Sequence, residues 1–204
     1  MLWLIVIRKE WSRCAAPLRI TSILSAERAT PERVLVLTSS QQAMTLCANV
    51  LLDVGDRIFI EDSAYHDARK AFDAAGLECV PIPLDAQGIQ VGHLRNLAPS
   101  AKAVFLTPSH QFSTGATLAL DRRISLIEWA RQHQAWIIED DYDSEFHYAG
   151  KPTACVQGLD AHDRTIYIGN LHQFPVPGVA YRLYGLAAPA GGAYDGCANP
   201  AGRT

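Results

Sequence analysis

The stretch that most constrains this chain is Ala135-Trp136-Ile137-Ile138-Glu139-Asp140-Asp141-Tyr142-Asp143-Ser144-Glu145-Phe146, a short apolar run that ends in five carboxylates around one tyrosine. It follows a helical pattern in Arg122 to His133, and its apolarity on both faces reads as a buried strand. In open α/β sheets the ligand sits beyond the carboxyl ends of the strands, so Asp140 and Tyr142 are delivered to a candidate binding edge. An aspartate there can stay ionised and pair with a protonated ring nitrogen. A tyrosine two residues on leans the same way and can donate its hydroxyl. Taken alone, carboxylates read more simply as a solvated acidic loop, since surface Asp and Glu are the norm. The rest of the chain has to decide between the two.

Upstream, strand and helix patterns alternate. Val34-Leu35-Val36-Leu37 is a short buried strand, Thr38-Ser39-Ser40 a turn with N-cap chemistry, and a helix follows with Met44, Cys47 and Leu51 on one face. Arg57 to Glu61 is the next strand, Tyr65 to Ala75 a helix closed by Gly76, and Glu78 to Pro83 another strand. Ala103 to Leu106 is a strand that ends in Thr107-Pro108. Asp121 is expected to cap a helix with Ile124, Ile127 and Arg131 at helical spacing, the arginine stem covering the edge of the stripe. Thr165 to Ile168 is one more strand. The alternation implies an α/β fold, a mostly parallel sheet sandwiched by helices. Residues 1–30 show no clear period and form a poorly defined N-terminal segment, 31–189 form one large domain, and the Ala/Gly/Pro-rich tail at 190–204 reads as disordered.

Composition narrows the function classes. With 204 residues, 49% of them hydrophobic and 19% charged, the chain can bury a core. A net charge of −3 gives no bulk electrostatic case for nucleic acid. The apolar Met1 to Ile7 is too short to span a bilayer. Cys14, Cys47, Cys79, Cys155 and Cys197 are scattered, with no C-x-x-C spacing, which fits reduced thiols in a cytoplasmic protein.

Three further loops fall at strand ends. Thr38-Ser39-Ser40-Gln41-Gln42 offers free helix-start amides and hydroxyls, suited to a phosphate, although an ordinary capped helix looks the same. In Glu61-Asp62-Ser63-Ala64-Tyr65 the tyrosine can stack on a flat ring, or simply begin a helix half-buried. Thr107-Pro108-Ser109-His110-Gln111-Phe112-Ser113-Thr114-Gly115 is a polar loop able to hydrogen-bond a phenolic or carbonyl oxygen, or a plain connection. Glu139, Asp140, Asp143 and His147 also form a conceivable metal set, a weaker reading.

Taken together, Val34 to Ala43, Leu52-Asp53-Val54-Gly55-Asp56, Thr107 to Phe112 and Glu139 to Phe146 resemble the aminotransferase-like domain of MocR-type regulators. These regulators belong to the GntR superfamily and carry a fold-type-I pyridoxal-phosphate domain. The resemblance runs from about Pro31 to Pro189. It implies the large domain of a fold-type-I transferase, with pyridoxal 5′-phosphate as cofactor and the strand near Arg182 antiparallel. By it, Ser40 and Gln41, with Ser39 nearby, hold the phosphate, and Arg182 clamps it. Tyr65 stacks on the pyridine ring, Asp140 pairs with its nitrogen and Tyr142 reaches its hydroxyl. A homodimer, an amino-acid-like effector and no membrane or direct DNA contact by this chain complete the expectation.

The chain also departs from that pattern. After Tyr167-Ile168-Gly169 the family continues with a Ser-Lys pair whose lysine forms the Schiff base, whereas here His172 and Gln173 stand in those places. Glutamine forms no imine, and no lysine follows Lys151. Arg182 lies further from Gly178 than the family's spacing. A winged-helix module and a C-terminal small domain are not recognisable, so the expectation is a truncated, catalytically impaired cofactor domain. The alternatives are an active aminotransferase with its lysine supplied otherwise, and a cofactor-free ligand-sensing or dimerisation module.

Overall fold

The computed structural model describes residues 3–7, 34–97, 101–142 and 154–170. Strands β1 (Trp3–Ile7), β2 (Val34–Leu37), β3 (Arg57–Glu61), β4 (Glu78–Ile82), β7 (Ala103–Leu106), β8 (Trp136–Asp141) and β9 (Thr165–Asn170) form one sheet in the order β2-β1-β9-β8-β7-β3-β4. Every pairing in it is parallel. A small antiparallel hairpin, β5 (Leu84–Asp85) with β6 (Gly88–Ile89), stands apart from it. The helices are α1 (Ser40–Leu51), α2 (His66–Ala74), α3 (Val91–Leu97), α4 (Leu120–His133) and α5 (Val156–Leu159). The fold is the α/β sandwich that the alternation predicts.

Two apolar layers follow from the period-2 alternation of the strands. Ile58, Ile60, Phe105, Ile138, Ile166 and Ile168 face α1 and α2, meeting Met44, Cys47 and Phe72. Phe59, Val104, Leu106 and Ile137 face α4 and α5, meeting Leu126, Trp129 and Val156. Phe72 and Phe105 meet edge-to-face at 5.4 Å, a contact worth about 1 kcal/mol beyond its buried area. Burial on both sides of β8 is what its unbroken apolar run requires.

Three expectations change. Trp3–Ile7, which shows no helical or alternating period, forms β1 between β2 and β9. A strand inside a parallel sheet needs only a brief apolar run, and such a run has no period to detect. Helix α4 begins at Leu120 after an N-cap at Ala119, with Asp121 in the first turn and not at the cap. Its buried face is Arg123, Leu126, Ile127, Trp129 and Ala130, while Ile124 is 56% exposed. Arg131 does not cover the stripe; it pairs on the surface with Glu128 at 2.6 Å. The strand near Arg182 and the 190–204 tail lie outside the described residues.

The shift of the α4 face has a physical cause. Arg123 is fully buried, yet its guanidinium donates to the carbonyls of Leu118 (2.9 Å), Ala154 (3.0 Å) and Pro108 (2.7 Å). A buried cation is tolerated where its donors are met, and this one ties three segments to the helix. Arg123→Ala should therefore cost about 3 kcal/mol or more, because two buried carbonyls and a part-buried one lose a charged donor and a cavity opens. A urea midpoint unchanged from wild type would refute that role.

Candidate functional site

The carboxyl ends of β2, β3, β7, β8 and β9 share one rim, as parallel strands must. All the loops singled out in the sequence open there. At the head of α1, the Ser39 hydroxyl accepts the Gln42 amide at 3.2 Å, and Gln42 Oε1 accepts the amide and hydroxyl of Thr38. The Ser40 and Gln41 amides have no acceptor among the described residues, as expected of a first helical turn. Gln41 Nε2 donates to the Asp67 carbonyl at 2.8 Å, while its buried Oε1 has no partner. Asp67 in turn accepts the Tyr65 hydroxyl at 3.1 Å. Gln41 thus joins the head of α1 to the turn that carries Tyr65.

From Tyr65 a row of rings crosses the rim. Tyr65 meets Phe112 edge-on at 5.0 Å, Phe112 meets Tyr142 at 6.1 Å, and Tyr142 stacks with His110 at 6.1 Å. Gly115, at φ +71°, accommodates His110; a Cβ there would lie 2.9 Å from the imidazole Nε2. Ser39, Ser40, Gln41, Tyr65, Asp140 and Tyr142 therefore all stand at one edge of the sheet. In the sequence Phe112 stands out only as a member of the 107–115 loop. Its role as the link between the two tyrosines comes from a loop closure that no residue spacing encodes.

The three consecutive acids of β8 are buried, not solvated. Glu139 accepts the amides of Val156 and Gln157, each at 2.9 Å, at the start of α5. Asp141 accepts the Tyr167 hydroxyl. Tyr167 reaches it by lying across Gly169, the residue paired with Asp141; a Cβ on Gly169 would come within 2.6 Å of the ring. Asp140 points to the opposite face, on the side of Ile138 and Ile168, and has no hydrogen-bond donor among the described residues. Burial, with the Asp141 charge adding to it, pushes its carboxyl up to about 7. Burial likewise pushes Glu139 to about 7, opposed by its two amide donors and by Arg123. Glu139 and Asp140 thus lie on opposite faces of β8, which separates two members of the conceivable metal set. Asp143, His147, Gln173 and Arg182 lie outside the described residues.

The pH dependence follows from these acids. Their folded pKa values lie above those of an unfolded chain, so the native state binds more protons between about pH 4 and 7. Stability is fullest below that window and falls as pH rises through it, by up to about 1.4 kcal/mol per pH unit for each group. The exposed carboxylates of Asp67, Glu78, Asp85 and Glu128 are lowered by their partners, chiefly Lys70, Arg57, Arg122 and Arg131, and act below the window. Asp140→Asn should be more stable than wild type at pH 8 without added ligand, and close to it near pH 4. Equal unfolding free energies at pH 8 would show that Asp140 carries no burial penalty.

Comparison with known proteins agrees with the α/β fold. Residues 23–171 match the aminotransferase class I and II family. The HTH-type transcriptional regulator YdeL of Bacillus subtilis, itself uncharacterized, is 38% identical over 159 residues, 78% of this chain and 34% of that protein. The probable rhizopine catabolism regulatory protein MocR of Rhizobium meliloti is 37% identical over 139 residues, covering 68% of this chain and 28% of that one. Among solved structures, the α-aminoadipate aminotransferase LysN of Thermus thermophilus, complexed with N-(5′-phosphopyridoxyl)-L-leucine, superposes with a TM-score of 0.68 at 28% identity, over 76% of this chain and 41% of that one. The chain spans about a third of the length of the curated regulators it matches. It belongs to the aminotransferase class I and II family, and its aminotransferase-like domain is of the kind that MocR-type regulators carry.

Proposed function

We propose that this domain binds pyridoxal 5′-phosphate without a covalent link and serves as the ligand-sensing part of a MocR-type regulator. The observation that carries the reading is Asp140, a buried carboxylate raised to about 7 and without a donor among the described residues. A protonated ring nitrogen supplies the charge and the hydrogen bond that this site lacks. The neighbouring residues fit the same group. The free amides of Ser40 and Gln41, with the Ser39 and Ser40 hydroxyls, head a twelve-residue helix suited to a phosphate. Tyr65 and Tyr142 bracket the rim and offer ring faces and a hydroxyl near Asp140. We assign the outer phosphate clamp to Arg182.

When bound, the cofactor supplies a protonated pyridine ring that acts as an electron sink. Asp140 holds the proton on the ring nitrogen, the rings of Tyr65 and Phe112 exclude water from one side, and the helix head binds the phosphate. Gln173 stands where the Schiff-base lysine is expected. Of the described lysines, Lys102 precedes β7 at the opposite end of the sheet, and Lys70 pairs with Asp67 on the exposed face of α2. With glutamine at position 173 and neither described lysine at the rim, the cofactor is held reversibly, which suits recognition of an amino-acid-like effector better than turnover. A homodimer is part of the same proposal. DNA contact is not, since the chain carries a net charge of −3.

Titration with pyridoxal phosphate should give a protein-bound absorbance band that borohydride does not fix to the chain. Asp140→Ala should weaken binding by about tenfold to a hundredfold, the loss of one charged hydrogen bond. A stable borohydride adduct at a lysine of the wild-type chain would overturn the non-covalent reading. Gln173→Lys should create such an adduct, detectable by mass, and its absence would remove residue 173 from the ring site.

A further inference from the structure

We propose that Glu61 is the positioning residue of the aromatic wall beside Asp140, acting through the 107–115 loop and not by touching the ligand. The inference rests on the cofactor reading above and extends it to a residue outside the phosphate and ring contacts. Glu61 ends β3, is 3% exposed, and gathers three donors on one oxygen. Oε2 accepts the Thr107 amide at 3.2 Å, the Thr107 hydroxyl at 2.9 Å and Gln111 Nε2 at 3.5 Å.

The two side-chain donors pass the restraint outward. Thr107 Oγ1, oriented by its bond to Glu61, accepts the Phe112 amide at 3.1 Å. Gln111 Oε1 accepts the Thr114 amide at 3.0 Å, the Thr114 hydroxyl at 2.7 Å and the Ser113 hydroxyl at 3.3 Å. Phe112 is 42% exposed, so no enclosing core places its ring. Its position is set by its backbone, and that backbone is held by Thr107 and Gln111. Among the described residues the Phe112 ring links Tyr65 to Tyr142, and its anchor is a carboxylate one strand away. Burial raises the Glu61 pKa while Thr107 and Gln111 oppose the rise, so the group meets a standing desolvation cost that an apolar residue would avoid.

The test compares wild type, Glu61→Ala, Glu61→Gln and Phe112→Ala by hydrogen exchange without ligand and by pyridoxal-phosphate titration. In Glu61→Ala the Phe112 and Thr114 amides should exchange faster, and cofactor affinity should fall by about tenfold, the worth of one buried hydrogen bond. Glu61→Gln keeps an acceptor oxygen for the three donors and should restore both readouts. Phe112→Ala removes an exposed ring without touching the core, and should reproduce the affinity loss with a normal melting temperature. Unchanged exchange in Glu61→Ala, or unchanged affinity in Phe112→Ala, overturns the proposal. So does a Glu61→Gln variant as weak as Glu61→Ala, which would assign the effect to charge. A wild-type chain whose spectrum ignores pyridoxal phosphate overturns the cofactor reading, and the exchange comparison then decides the anchoring alone.

Discussion

Glu139, Asp140 and Asp141 place three consecutive carboxylates inside the end of a central strand, where each charge must find a partner or meet a large desolvation cost. Strand alternation sends the first and third to one face and the second to the other. On the first face the protein supplies partners: the α5 amides for Glu139 and the Tyr167 hydroxyl for Asp141. Arg123 adds a buried positive charge on the same side. On the other face Asp140 meets no donor among the described residues. The asymmetry separates two acids that serve the fold from one that the described residues leave without a donor, the acid we propose for the cofactor.

That arrangement explains why so many irregular features gather at one edge. Arg123 holds the carbonyls of Pro108, Leu118 and Ala154, and so fixes both the start of the 108–118 connection and the approach to α5. Glu61 holds the same loop from the other side. Gly169 lacks a side chain because Tyr167 needs its space to reach Asp141. Buried polar networks of this kind are costly if incomplete, and where complete they specify one geometry. The rim is built from such restraints, which suits a site that must present a carboxylate, a helix head and several rings in fixed relation.

Much of this was legible in the sequence. The α/β architecture followed from alternating apolar runs and capped helices, and α1, β3, β7 and β8 fall where the periodicity placed them. The rim residues were legible for a related reason: in a parallel sheet every strand's carboxyl end faces one way, so Ser39, Tyr65, Thr107 and Asp140 share an edge once their strands are found. The α4 face was misread because Arg123 counts as polar in any pattern, whereas three carbonyls make it a core residue. β1 was passed over because five apolar residues carry no period.

The sequence by itself determined the strand–helix order, the parallel sheet and the set of side chains that reach its carboxyl edge, because periodicity and strand direction are local properties of a chain. Only the tertiary structure decided which acids are neutralised within the protein and which is not, and which ring joins Tyr65 to Tyr142. It also decided that Glu61, Arg123 and Gly169 serve the site from a distance. Those outcomes depend on groups far apart in sequence coming within hydrogen-bond reach, and no spacing along the chain records that meeting.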